Sequence, residues 1–476
     1  MKLDRQQKFI LLASTLASFL TPFMGSATNL ALPAVARAFE LSAVTLGWTV
    51  TAYLLTTAIF LVPVGRLADM VGRRQIFVAG ISVFLAGTLF SGLAFSGGSL
   101  IVFRLIQGAG GAMIFATSIA LLTSHFPPEN RGRVLGINTA ATYTGLSLGP
   151  VLGGLLVHYF GWRSVFFFSL VPGLLALSLV TRAYRHVPSP QEKSLAGFDV
   201  KGSAIYGLGL VCFMLGFSRW PAAYGFGLAA AGIALLVLFL FFEGRQPQPV
   251  LDTALFKKNR TFAFSNLAAL INYSSTFAVS YLLSLYLQYI HGFSPRTAGL
   301  VLVAQPAVQA LCSPAAGRAS DRVEPRILAS AGMGLTVVGL VALSFLNLET
   351  PLLWVVLGLV FLGTGFGLFS SPNTNAIMGS VEPKNYGVAS ATLATMRMVG
   401  QMFSLGLTMM IISVVMGNVR IVPENYPLFV KSLRLTLTVF AGLNFLGIFA
   451  SLARKNRKNQ DTLHFSDFSP DSGRDH

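Results

Sequence analysis

The chain has 476 residues, of which 54% are hydrophobic and 11% charged, with a formal net charge of +17. Soluble domains carry about 25% charged residues, so this composition excludes a single water-soluble core and points to a polytopic membrane protein. The Lys and Arg residues are dispersed over short loops rather than gathered on one face, which argues for a lipid bilayer and against nucleic acid as the partner.

The first eight residues are basic and precede an apolar run, and Ala34-Val35-Ala36 resembles a signal-peptidase site. The run from Phe9 to Val35 is longer than a signal core and is interrupted by Thr28 and Asn29, so it reads as a first membrane span. Spans need about 20 mostly apolar residues, and must be helical because lipid leaves no backbone group unpaired. Fourteen runs qualify, near 9–35, 44–64, 75–95, 99–123, 133–158, 163–181, 201–218, 223–242, 261–289, 296–316, 327–347, 351–375, 386–416 and 434–453. Cys212 and Cys312 both fall inside such runs as packing residues, with neither a disulfide framework nor a metal-ligand spacing. No cofactor and no metal site is expected.

Loop charge sets the expected orientation. With both termini in the cytoplasm, 25 of the 34 Lys and Arg fall in cytoplasmic segments and seven outside, the bias expected of an inner or plasma membrane protein. The remaining two, Arg104 and Arg397, fall within spans. A repeat runs through the chain at an offset of 252: Ser42, Thr45, Gly47, Gly65, Arg66, Asp69 and Arg74 match Ser294, Thr297, Gly299, Gly317, Arg318, Asp321 and Arg326. Both copies lie on the same expected side, so the repeats are parallel, about an axis along the membrane normal. The expected organisation is an all-α fold: an N-terminal six-helix bundle over 1–198, a two-helix insert over 199–245, a C-terminal six-helix bundle over 246–455 and a polar, disordered cytoplasmic tail over 456–476.

Four motifs, in order along the chain, resemble those of the major facilitator superfamily, specifically its fourteen-helix drug:proton antiporter branch. They are Asn29-Leu30-Ala31-Leu32-Pro33, Gly65 to Arg74, Arg104-Leu105-Ile106-Gln107-Gly108-Ala109-Gly110, and Gly145 to Gly154. The resemblance implies alternating access between two six-helix bundles and proton-coupled export of drug-like molecules. One position departs from it: aligned on Asn29 and Pro33, the usual aspartate of the first motif is replaced by Met24.

The candidate gating loop comprises Gly65, Arg66, Asp69, Gly72, Arg73 and Arg74, with Gly317, Arg318 and Asp321 as its counterpart. Its glycines allow a tight turn and its charges suit an interhelical latch; the resemblance implies contacts between the halves. In the helix 5 motif, Gly145, Gly149 and Gly153 share one face, with Gly154 and the bending Pro150 beside them. Small residues four apart allow close helix approach, as generic packing or, as the resemblance implies, at the moving interface of the two bundles. Arg104 is either a snorkelling residue, about 8 Å from a helix end, or a coupling residue; the resemblance implies contacts to the first helix. Arg397, about 16 Å deep, is either structural or a cavity charge that touches substrate. Asn29, Tyr53, Gln107, Asn272, Gln305, Asn373 and Gln401 are the main cavity candidates, each equally able to bond between helices.

None of the seventeen Asp and Glu falls near the middle of a span. A neutral or anionic lipophilic substrate therefore fits better than a cation, and protons are a candidate coupling ion without a visible carrier. The expected function is secondary active export of small lipophilic compounds by alternating access. The rivals are an uncoupled or otherwise coupled facilitator of one metabolite and, from other classes, a lipid enzyme or a receptor. No nucleophile cluster supports an enzyme and no Walker motif supports direct ATP use.

Overall fold

In a computed structural model of the protein, residues 3–185, 198–246, 253–320, 322–382 and 386–454 are described. The tail 456–476 and Asp321 lie outside them. The chain is helical: α1 (Arg5–Phe39), α2 (Ala43–Val71), α3 (Arg73–Gly92), α4 (Gly97–His125), α5 (Pro128–Phe160), α6 (Arg163–Ala183), α7 (Val200–Ser218), α8 (Ala223–Glu243), α9 (Thr253–Lys258), α10 (Arg260–Tyr289), α11 (Pro295–Leu302), α12 (Ala304–Ala319), α13 (Pro325–Ser344), α14 (Leu352–Gly379), α15 (Tyr386–Met416) and α16 (Tyr426–Leu452). By length and composition the described residues hold 14 membrane-spanning helices, α11 and α12 counting as one span.

The tenth span is divided where a continuous helix was expected. Pro306 has no N–H to bond Leu302 O, so the helix loosens around Val303. Bonds from Val303 N to Gly299 O (3.1 Å) and from Ala307 N to Val303 O (2.9 Å) carry the chain across the break.

Helix packing repeats in the two halves. In the first, α1 packs on α5 and α6, α4 on α2 and α3, and α3 on α6; in the second, α10 packs on α15 and α16, α14 on α12 and α13, and α13 on α16. The same six-helix arrangement is thus built twice. The sequence repeat has a matching local geometry. Ser42 caps α2 by accepting from Thr45 N and sits 3.0 Å from the Thr45 hydroxyl; Ser294 caps α11 through Thr297 N, with 3.1 Å between the hydroxyls. Such caps satisfy one of the orphan amides of a first turn.

The halves meet along a seam where α2 packs on α15, α5 on α11 and α1 on α10. The insert straddles it. The Tyr206 hydroxyl of α7 donates to Ala58 O of α2 (3.2 Å), while Phe213 stacks on Phe403 of α15 at 5.7 Å.

Candidate functional site

The seam is tightest at the end opposite the Gly65–Arg74 loop. Ala43 N donates to Val419 O (2.9 Å), Ser42 Oγ bonds Asn418 Oδ1 (2.5 Å), and Arg420 pairs with Glu40 (2.5 Å). Nearby, Ser284 Oγ donates to Asn29 O (2.7 Å) and Thr51 Oγ1 to Met409 Sδ (3.2 Å). Two glycines also bring the halves into close approach. A Cβ on Gly47 would meet Met409 of α15, and one on Gly299 would meet Pro150 O of α5, both closer than 3.0 Å. Gly47 and Gly299 are the repeat-related pair, so one small residue serves each symmetry-related crossing. Sequence reading noted their match without assigning them to the seam.

The helix 5 glycines divide between two partners. Gly145, Gly149 and Gly153 face Phe19, Ser26 and Ala27 of α1, inside their own half, not the other bundle as the resemblance had implied. Gly154 alone meets the second half, its Cα against Pro295 O, and Pro150 contributes its carbonyl beneath Gly299.

At the other end the described bonds of Asp69, Arg73 and Arg74 lie within the first half. Asp69 pairs with Arg73 (2.9 Å) and Arg73 Nη1 donates to Ala120 O (3.3 Å). Gly72, at φ 126°, joins α2 directly to α3 in a conformation that side chains rarely adopt. Arg66 is half-buried. Arg74 Nη2 donates to Tyr184 O (3.1 Å), and its guanidinium lies 4.5 Å from the Tyr184 ring centre. Burial pushes the Tyr184 hydroxyl above its ordinary value, with Arg74 pulling it partly back; it bonds His125 Nε2 at 2.9 Å. The counterpart follows the same plan: Arg326 Nη1 reaches Arg454 O (3.4 Å) at the end of α16. Each arginine thus meets the negative end of its half's last helix. Gly317 faces the Ser371 hydroxyl, and Arg318 is exposed, its Nε over Pro314 O at 3.4 Å.

Arg104 is 0% exposed and does not snorkel. Its Nε donates to Thr49 O (3.0 Å) and its Nη1 to Gln107 Oε1 (2.5 Å), while Gln107 Nε2 continues to the Thr88 hydroxyl (2.6 Å). The Tyr53 ring lies 4.7 Å from the guanidinium. These contacts run to α2 and α3; the contact to the first helix that the resemblance implied is replaced by one to α2. Met24 is a packing residue, its sulfur accepting from Ser169 Oγ of α6 (2.9 Å).

The other polar candidates separate by partner. Asn272 faces Asn444 of α16 (3.4 Å), and Asn373 accepts from Arg454 (2.7 Å), so both join helices of the second half. Tyr53 and Gln107 belong to the Arg104 network. Asn29 Oδ1 and Gln305 Oε1 are buried without a partner, and Gln401 is half-buried. Arg397 stands apart: its guanidinium lies 5.1 Å from the Tyr273 ring centre and its Nε is buried without a partner. Tyr143 of α5 reaches the same place from the first half, its hydroxyl 3.1 Å from Ser370 Oγ of α14. Tyr143 and Ser370 were missed in sequence; a tyrosine in mid-span was the available signal. Among the described residues Glu243 is the one buried carboxylate, at the end of α8 beside Asp199, and no cluster suited to a metal is present.

Comparison with known proteins now bears on this architecture. The family profile of the Major Facilitator Superfamily matches residues 14–264 and 265–467. The chain belongs to that superfamily. It is 30% identical to the riboflavin transporter RibZ of Clostridioides difficile over 83% of this chain and 85% of that protein. It is 31% identical to the multidrug resistance protein Stp of Mycobacterium tuberculosis, over 84% and 74% respectively. Relatives with such resistance names put it with the drug-efflux branch of the superfamily. A crystal structure of a bacterial homologue of the human lysosomal transporter Spinster, inward-facing and unoccupied, superposes with a TM-score of 0.67 at 18% identity, covering 96% of this chain and 100% of that one. The protein is a multi-pass membrane transporter and not an enzyme.

Proposed function

We propose that this transporter exports small lipophilic compounds, neutral or anionic in preference to cationic, by alternating access across the cell membrane. The observation that carries the reading is the unequal seam. One end is sealed by repeat-related glycine contacts, the Ser42–Asn418 bond and the Glu40–Arg420 pair. The bonds described for the Gly65–Arg74 loop stay within one half. With both termini cytoplasmic, as the loop charges favour, this is an inward-facing state. The loop is then the latch that engages when the opposite end opens. The moving bodies are the bundles over 1–198 and 246–455, with 199–245 riding on the seam.

The substrate class rests on charge. The embedded arginines, Arg104 and Arg397, have no described carboxylate at their depth, and an unneutralised cation there disfavours cationic cargo. Proton antiport is the coupling we propose from the resemblance, although Met24 fills the place of its usual carboxylate. The likeness to a riboflavin transporter supports a second reading, facilitated movement of one metabolite.

Reconstituted protein decides among these. Flux of a neutral or anionic lipophilic dye that rises with an imposed proton gradient supports coupled export. Flux unchanged by the gradient supports the facilitator. Lipophilic cations as the best substrates would overturn the proposed class.

A further inference from the structure

Among the described residues three arginines have side chains drawn into the helical body, and they differ in exposure. Arg104 is sealed and donates to Thr49 O and Gln107. Arg454 is 3% exposed and donates to Asn373. Arg397 alone of the three is half-buried, so part of its guanidinium remains reachable; a buried nitrogen without a partner is common to all three, at Arg397 Nε, Arg104 Nη2 and Arg454 Nε and Nη1. No described carboxylate pairs with it. A charge held at low dielectric without a counter-charge is costly. A planar guanidinium fork matches the two oxygens of an acid group.

The surroundings supply the rest of a site. Counted from the Gly65–Arg74 end, Arg397 lies about 16 Å along α15, Tyr273 about 20 Å along α10 and Tyr143 about 22 Å along α5. They therefore share one depth near mid-span. The Tyr143 and Ser370 hydroxyls are 3.1 Å apart. One donates to the other, and the second O–H can turn to an oxygen of a ligand. Tyr273 packs edge-on against Phe366 at 5.2 Å, giving the place an aromatic wall. Tyr143 comes from the first half, and Tyr273, Ser370 and Arg397 from the second.

We propose that Arg397, Tyr273, Tyr143 and Ser370 form an acid-group subsite, which takes an aromatic compound bearing one carboxylate, sulfonate or phenolate. Arg397 neutralises the anion, the Tyr143–Ser370 pair donates to it, and the Tyr273–Phe366 wall holds the flat body. The proposal rests on the exporter reading and narrows its substrate class. Because the subsite draws on both halves, an occupied site also ties them together at mid-depth.

Two fluorescent probes with one skeleton test this: 8-anilinonaphthalene-1-sulfonate, and N-phenyl-1-naphthylamine, which lacks the sulfonate. Each is titrated against the full chain in nanodiscs, with empty nanodiscs subtracted. Arg397→Gln should weaken the sulfonate probe by about tenfold or more, the scale of a charged hydrogen bond, and move the neutral probe by less than about twofold. Tyr143→Phe should weaken the sulfonate probe by about fivefold. Arg397→Lys, which keeps the charge without the fork, should fall between wild type and Gln. If Arg397→Gln does not fold, the Lys and Phe variants still carry the comparison. Equal losses for both probes, or an unchanged sulfonate probe, would overturn the subsite while the exporter reading stands. A wild-type seam that binds neither probe saturably would remove both.

Discussion

Gly299→Val should open the sealed end of the seam. The Gly299 Cα rests on Pro150 O, and a Cβ would approach it closer than 3.0 Å, a separation that real Cβ atoms essentially never show. The obstacle is backbone, so no rotamer change relieves it; α5 and α11 must separate by about 1 Å. Overpacking of this kind costs roughly 1–3 kcal/mol. The contact joins the two halves, so the cost falls on the sealed state and leaves the alternate state untouched. A penalty of about 2 kcal/mol changes the ratio of the two states roughly thirtyfold. Thr51, fully buried against Met409 of the other half, reports on it. In a background with Cys212 and Cys312 replaced by Ala, Thr51→Cys should label slowly with an impermeant maleimide, and much faster once Gly299→Val is added. Gly145→Ala is the control. It crowds Phe19 O of α1 within the same half, so it should lower the unfolding midpoint and leave labelling unchanged. Equal labelling with and without Gly299→Val, or opening by Gly145→Ala as well, would refute the assignment of these glycines.

Other perturbations separate strong contacts from weak ones. Glu40 and Arg420 are exposed, so neutralising either should change Thr51→Cys labelling by less than about fivefold, an effect that fades with added salt. Arg104→Gln strands Thr49 O and Gln107 in a sealed place and should lower the unfolding midpoint clearly, by an amount equivalent to about 3 kcal/mol; an unchanged midpoint would count against the network. His291, beyond the end of α10, is held below its ordinary value of 6.5 by burial. Its unfolded form takes up a proton first, so stability should fall as pH drops below about 6.5, and His291→Phe should flatten that slope in thermal melts.

Much of the fold was legible because lipid enforces it. Long apolar runs have to be helices, and the expected spans match the observed ones apart from the division at Val303. The repeat was legible because Ser42 and Ser294 cap their helices in the same way. Partner choice was not legible. Glycine spacing says that a helix comes close to something, yet Gly153 meets α1 and its neighbour Gly154 meets the other half. One residue on a helix turns the direction by about 100°, and sequence does not say what lies there. Arg104 shows a similar gap. Its distance from a helix end left snorkelling open, and only the packing of α2 and α3 around it decided the matter. Arg397 could be placed by depth, but the tyrosines around it come from α5 and α10, far away in sequence.

The division of the tenth span has a mechanical consequence. Residues Pro295–Leu302 lie against α5 of the first half, whereas Ala304–Ala319 pack mainly on α14 of their own. One membrane crossing therefore has two hosts, and the interruption at Val303 falls between them. A rigid rod so placed would have to shear away along its whole length at once. Loosened at Val303, the segment on α5 and the segment on α14 need not move as one body.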